Sequence, residues 1–126
     1  MVDYTSSRIQ MVQQKGKQFL YLDFSDLYGD RLTQEIINLR NFVLQQNIEN
    51  ISVLLNITNS YVTNEIIKEI RTNTNVLNQR IHKAAIVGNS KVQDIFIKFI
   101  RNFIHIQLET FIKEESGKEW LVTSST

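Results

Sequence analysis

ISVLLNITNSYVTNEIIKEI, residues 51–70, is the stretch from which the fold can be read. It opens with Ile51, Val53, Leu54, Leu55 and Ile57, an apolar run of the kind that a parallel sheet covers on both faces. A hydroxyl- and amide-rich turn follows, Thr58-Asn59-Ser60, and then Asn64 to Ile70 carries Ile66, Ile67 and Ile70 at helical spacing behind Thr63, a residue suited to cap the helix. The pattern predicts the central parallel strand of an α/β sheet handing over to its helix.

Upstream, residues 8–13 alternate, with Ile9 and Met11 on one side, and Gln18 to Phe24 forms a second apolar strand. Gln14-Lys15-Gly16-Lys17 between them predicts a β-hairpin turn, with a glycine free to take positive φ. After Tyr28-Gly29-Asp30, residues Leu32, Ile36, Leu39 and Val43 recur every three or four positions to about Gln46, so one face of a helix is buried.

Downstream of the central strand, Leu77 is expected on the inner face, but residues 71–78 are poor in helix formers and predict an early helix end or a loop. Lys83 to Val87 is a short core strand, and Gly88-Asn89-Ser90-Lys91 its turn, with Ser90 as the expected cap of the next helix. That helix, Lys91 to about Ile104, carries Val92, Ile95, Phe96, Phe99, Ile100 and Phe103 as its core stripe, with Ile97 and Ile104 outside it. Ile106-Gln107-Leu108 gives a last strand, and Lys113 to Val122 a last helix with Trp120 and Leu121 packing back; Val122 to Thr126 are expected to fray. The order β-β-α-β-α-β-α-β-α implies one α/β domain over residues 1–126, a mostly parallel sheet flanked by helices.

With 126 residues, 42% of them hydrophobic, the chain can bury one core unaided. It has no cysteine, which excludes disulfides, thiolate nucleophiles and Cys-based zinc sites. A net charge of +1 with acids and bases interleaved offers no footprint for a phosphate backbone, so nucleic acid is not an expected partner. Residues 1–7 lack the apolar core of a signal peptide and no apolar run nears the roughly 18 residues of a membrane span, so a soluble cytoplasmic protein is expected.

Four segments in this order resemble the SpoIIAA-like family, relatives of the STAS domain of sulfate transporters and anti-sigma-factor antagonists. They are Gln18-Phe19-Leu20-Tyr21-Leu22-Asp23-Phe24-Ser25-Asp26, Val53-Leu54-Leu55-Asn56-Ile57-Thr58-Asn59-Ser60, Lys83-Ala84-Ala85-Ile86-Val87-Gly88, and Phe111 followed by Trp120-Leu121. The resemblance implies a single SpoIIAA-like domain acting as a non-enzymatic regulatory module that binds another protein or, as a homodimer, a copy of itself. The group is also said to resemble the CRAL-TRIO fold, which implies a small hydrophobic-ligand or lipid carrier as the second reading. The chain departs from the family pattern at two places. Gly117 stands where alanine is usual, and the Asp-Ser-Ser-Gly run holding the phosphorylated serine of true antagonists is missing.

In an open parallel sheet, ligands meet the carboxyl ends of the strands. That edge should gather Asp23, Asp26, Thr58, Ser60, Thr63, Gly88, Ser90 and Lys91, a candidate partner- or anion-binding set in which Ser60 and Thr63 are the candidate phospho-acceptors. Each also has an ordinary use, since Thr63 and Ser90 can simply cap helices and Asp23 and Asp26 can simply shape a turn. No receiver-type carboxylate ends the central strand, where Asn56 and Asn59 stand instead. His82 and His105 have no Ser, Cys or carboxylate at triad or ligand spacing, and one glycine at Gly88 does not make a phosphate cradle. No cofactor, metal or catalytic residue is expected.

Overall fold

A computed structural model of the chain describes residues 6–88 and 90–123, without the side chains at 90–93 and 95. The N-terminal hairpin forms as expected, β1 (Ile9–Gln14) pairing antiparallel with β2 (Lys17–Asp23). Lys15 and Gly16 at its turn both have positive φ, 52° and 77°. Next come α1 (Gly29–Gln45), β3 (Ile51–Asn56), α2 (Asn64–Thr72), α3 (Thr74–Arg80), β4 (Ile81–Val87), α4 (Ser90–Ile100), β5 (Gln107–Phe111) and α5 (Glu114–Thr123).

The sheet order is β1-β2-β3-β4-β5, with β2 to β5 all parallel, so the stretch from Ile51 is the central strand. Each crossover moves one position in the same direction. Right-handed crossovers of that kind return on one face, which accounts for α1 to α4 sharing a side. Their core holds Leu20, Leu22, Val53 and Ile86 from the sheet against Leu32, Ile36, Ile66 and Phe96. The other face would be left to solvent. It is closed by α5, whose Leu121 and Val122 join Phe19, Leu54, Ala85 and Val87 in a second, smaller cluster. Gly117 sits where α5 crosses the sheet, and a Cβ built there would meet Ala85, Leu54 and Val87, each at 3.4 Å.

Two expectations are corrected. The early helix end expected after residue 71 is there, α2 stopping at Thr72, but the alternative of a loop is not: Asn73 turns the chain and a new helix, α3, follows, carrying Leu77 inward. Asn73 itself is buried, its amide donating to Glu69 O at 2.7 Å and its Oδ1 accepting from Arg40 at 3.2 Å. In α4 the core stripe is rotated from the expected one. Phe96 and Ile100 point inward, but Ile97 and Ile104 are buried as well and Phe99 is exposed. Val92 and Ile95, expected on that stripe, lie outside the described side chains. The fraying expected from Val122 does not begin there, because Val122 and Thr123 still belong to α5 and Val122 is buried against the sheet; residues 124–126 lie outside the described residues. Smaller shifts separate expected and observed strand ends: β4 begins two residues early at Ile81, and β5 runs on to Phe111.

Candidate functional site

Because four strands run the same way, their carboxyl ends form a single rim. Short backbone bonds stitch it together: Phe24 N donates to Asn56 O at 2.9 Å, Ile57 N to Val87 O at 2.8 Å, and Gly88 N to Phe111 O at 3.2 Å. Asp26 N donates to Thr58 O at 2.9 Å, and Tyr61 N to Leu27 O at 2.9 Å, so the loops after β2 and β3 travel together. Asp26 and Asn59 turn with φ of 59° each, a conformation that Asp and Asn tolerate better than most residues.

The expected residues divide along this rim. Asp23, Asp26 and Thr58 are brought together. Asp23 accepts from Ser25 Oγ at 2.5 Å and lies 4.0 Å from Arg8, whose guanidinium also holds Asp23 O and Ser25 O at 2.8 and 2.9 Å. Its carboxylate is thereby committed to shaping the turn. Thr63 is extended and caps α2, its hydroxyl accepting from Ile66 N at 3.3 Å. Ser60 is buried, and its hydroxyl donates to Ile57 O at 2.7 Å. A phosphate on Ser60 would have to break that bond and leave the turn, whereas at Thr63 it would meet a helix N-terminus. Gly88 contributes buried backbone one strand further on. α4 begins at Ser90 itself, so Ser90 is the first residue of the helix and not its cap, and the side chains of Ser90 and Lys91 lie outside the described ones.

Two residues that the sequence reading passed over stand out on this rim. Tyr28 precedes α1 and is 68% exposed, and Tyr61, in the loop before α2, is 70% exposed. The Tyr61 N to Leu27 O bond makes them neighbours. The available signal was two aromatic side chains placed in turns outside any helical or strand stripe.

At the rim end of the α5 face, Tyr21 donates a short hydrogen bond to the Glu114 carboxylate, and Lys118 lies over the Tyr21 ring at 5.6 Å while pairing with Glu114 at 3.4 Å. Burial first, and then the bond to Glu114, push the phenol up to about 12. At the far end of the same face Lys83 is almost fully buried, its ammonium over the Trp120 ring at 4.8 Å. Burial and the nearby charge of Lys17 hold it below the ordinary lysine range.

Between the sheet and α1 to α4 lie two adjoining apolar cavities. One, about 90 Å³, is bounded by Leu22, Leu32, Ile36, Ile66 and Phe96, and the other, about 80 Å³, by Val53, Ile86, Ile100, Ile104 and Leu108. Ile97 and Ile104, expected outside the core stripe, are instead part of this core. His82 and His105, distant in sequence, line one cleft at the amino ends of the strands.

Among the described residues, no helix is long and apolar enough to cross a membrane. No family sequence model matches the chain, and no curated protein sequence matches it either. Among solved structures it is similar to an uncharacterized protein of the DUF3478 family from Shewanella loihica PV-4, with a TM-score of 0.69 and 14% identity over 90% of this chain and 91% of that one. That protein's structure is described as having a SpoIIAA-like fold. With the likeness running over nearly the whole length of both chains, this chain has a SpoIIAA-like fold.

Proposed function

We propose that the chain is a non-enzymatic, STAS-like regulatory module of the cytoplasm that docks a partner protein on the carboxyl-end rim of its sheet. The observation that carries this reading is the pairing of Tyr28 and Tyr61, both largely exposed, on two loops tied by a backbone bond. Tyrosine gives large contact area with few torsions to freeze, and it is a frequent energetic anchor of interfaces. Asp26, Thr58 and the first turn of α2 supply a polar border beside it. The stitched rim keeps the loops in place before binding, which lowers the ordering cost of association.

The test is affinity purification from the source cells with the intact chain and with the Tyr28→Ser/Tyr61→Ser pair. Partner recovery should fall about tenfold or more, as for an interface hot spot, while the thermal midpoint stays put. Equal recovery would remove the rim as the docking surface. A recovered partner identical to the bait would make the interaction a homodimer through the same rim.

The adjoining apolar cavities favour a second reading, a carrier of a small apolar molecule. Their sizes, about 90 and 80 Å³, are far below the roughly 300 Å³ at which ligand pockets begin, so a lipid chain would have to part α1 and α4 from the sheet. Native mass spectrometry of protein purified from its own cells separates the readings: a carrier retains extra mass, and a docking module does not.

A further inference from the structure

The two apolar cavities between the sheet and the helices share a wall: Leu22, Leu39, Leu55, Leu77 and Phe96 line both. Their origin lies in the side-chain rows of the sheet. Across β2, β3, β4 and β5 one row on this face reads Leu20, Val53, Ala84, Leu108, and the next Leu22, Leu55, Ile86, Thr110. Ala84 supplies a single methyl between two larger neighbours, and it floors the second cavity. Overhead, the stripe that Ile66 and Ile70 begin on α2 is interrupted at Asn73 before Leu77 comes in from α3.

Among the described residues, every side chain lining either cavity is a hydrocarbon, aliphatic or aromatic. Water needs several polar partners to settle in a cavity, and these side chains offer none. Packed interiors hold few voids larger than a water molecule, because the atoms facing one forfeit dispersion contacts on that side. A guest of matching chemistry restores those contacts and sheds its own apolar hydration on entry.

Size sets the guest. At about 90 and 80 Å³ side by side, the pair is close to the roughly 150 Å³ at which a cavity walled by Leu, Ile and Phe takes up benzene. That leaves out a fatty-acid chain, and walls without donor, acceptor or charge leave out sugars, nucleotides and amino acids. The half-buried members of the walls mark the way in. Leu55 and Val62 stand at the rim end of the first cavity, and Ile106 and Leu108 beside the β5 edge in the second, whereas Leu22, Ile66 and Phe96 are nearly sealed.

We propose that the adjoining cavities form one binding site for a small, uncharged apolar molecule, the size of a single benzene ring or a short branched hydrocarbon. This ligand class narrows the carrier reading, on which it rests, and docking on the rim proceeds without it.

The test is a ¹H–¹³C methyl NMR titration of the full chain with benzene and, separately, with phenol. Benzene should give shifts that saturate at millimolar concentration or below at Leu22, Leu39, Leu55 and Ile66, while Leu121 and Val122, on the opposite face of the sheet, stay where they are. Phenol should bind about tenfold more weakly or worse, because its hydroxyl would be buried without a partner. Ala84→Leu, which builds into the second cavity from its floor, should weaken benzene about tenfold. Should that variant not fold, the phenol comparison and the silent Leu121 and Val122 decide the matter on the native chain. Shifts that grow without saturating, that reach Leu121 and Val122 equally, or that are as strong with phenol overturn the proposal. A long-chain lipid retained in native mass spectrometry, with no saturation by benzene, overturns it too and leaves the carrier reading standing on a different ligand. Saturation by benzene in protein that retains no lipid upholds the site.

Discussion

The Tyr21 phenol and the Glu114 carboxylate join α5 to the sheet through one hydrogen bond, and that bond leaves a trace in pH. The phenol rises from 10.0 to about 12 in the folded chain, so its protonated form is favoured by folding. The stability linked to it is therefore complete below about pH 10 and disappears as the pH climbs through 12. Of the four tyrosines, one should ionise near pH 12 in an ultraviolet titration of the folded protein, and that step should vanish in Tyr21→Phe. A titration curve that Tyr21→Phe leaves unchanged near pH 12 would show that the contact is not kept in solution. Gly117 is the second residue with a measurable signature. Its built Cβ meets three apolar atoms at ordinary contact distance, and glycine within a helix costs about 1 kcal/mol relative to alanine. Gly117→Ala should therefore stabilise the fold by about that amount, raising the melting temperature by about 4 °C. Gly117→Leu should lower it, because the added carbons have only Ala85, Leu54 and Val87 to enter. Calorimetry on the pair gives both signs.

Among the elements, α1 was the most legible: its four predicted inner residues, Leu32, Ile36, Leu39 and Val43, are the four that are buried. α4 was less so, because apolar residues occupy most of its circumference and periodicity alone cannot fix which stripe faces the sheet. The helix also ends at Ile100, so Phe103 and Ile104 follow a turn and no longer share its phase. The early end of α2 was legible, but the helix that follows it was not, for a different reason. Residues 71–78 are poor helix formers individually, but Asn73 closes one helix and opens the next. Its buried amide bonds to Glu69 and its oxygen to Arg40 come from the packed structure and leave no local pattern. Asn73→Ala removes that partner from both, which should cost about 2 kcal/mol in chemical denaturation. A loss below about 0.5 kcal/mol, the size of a surface change, would mean that the two helices do not depend on this junction.

At the scale of the molecule, the strand–helix alternation and the long apolar run from Ile51 were enough to reach the parallel sheet and its central strand. The hydroxyl-bearing corners at Thr58 and Thr63 were placed on the correct edge for the same reason. What the sequence did not disclose depends on contacts between distant segments. Ser60 is sealed by a bond to Ile57 O that its residue type does not announce, and Tyr28 and Tyr61 become neighbours only through the bond between their loops. The register slip between β3 and β4, which leaves His82 without a counterpart, is set by the pairing of two strands and has no signature in the sequence of either.

In β1-β2-β3-β4-β5, position across the sheet follows position along the chain. No strand has to wedge itself between two that are already joined, so a nascent polypeptide leaving the ribosome can lay each one beside its predecessor as it emerges, N-terminal part first. Until α5 is synthesised, however, Phe19, Leu54, Ala85 and Val87 have no cover, which makes the interval between the emergence of β5 and that of α5 the one in which this sheet face is most exposed to aggregation and to chaperones.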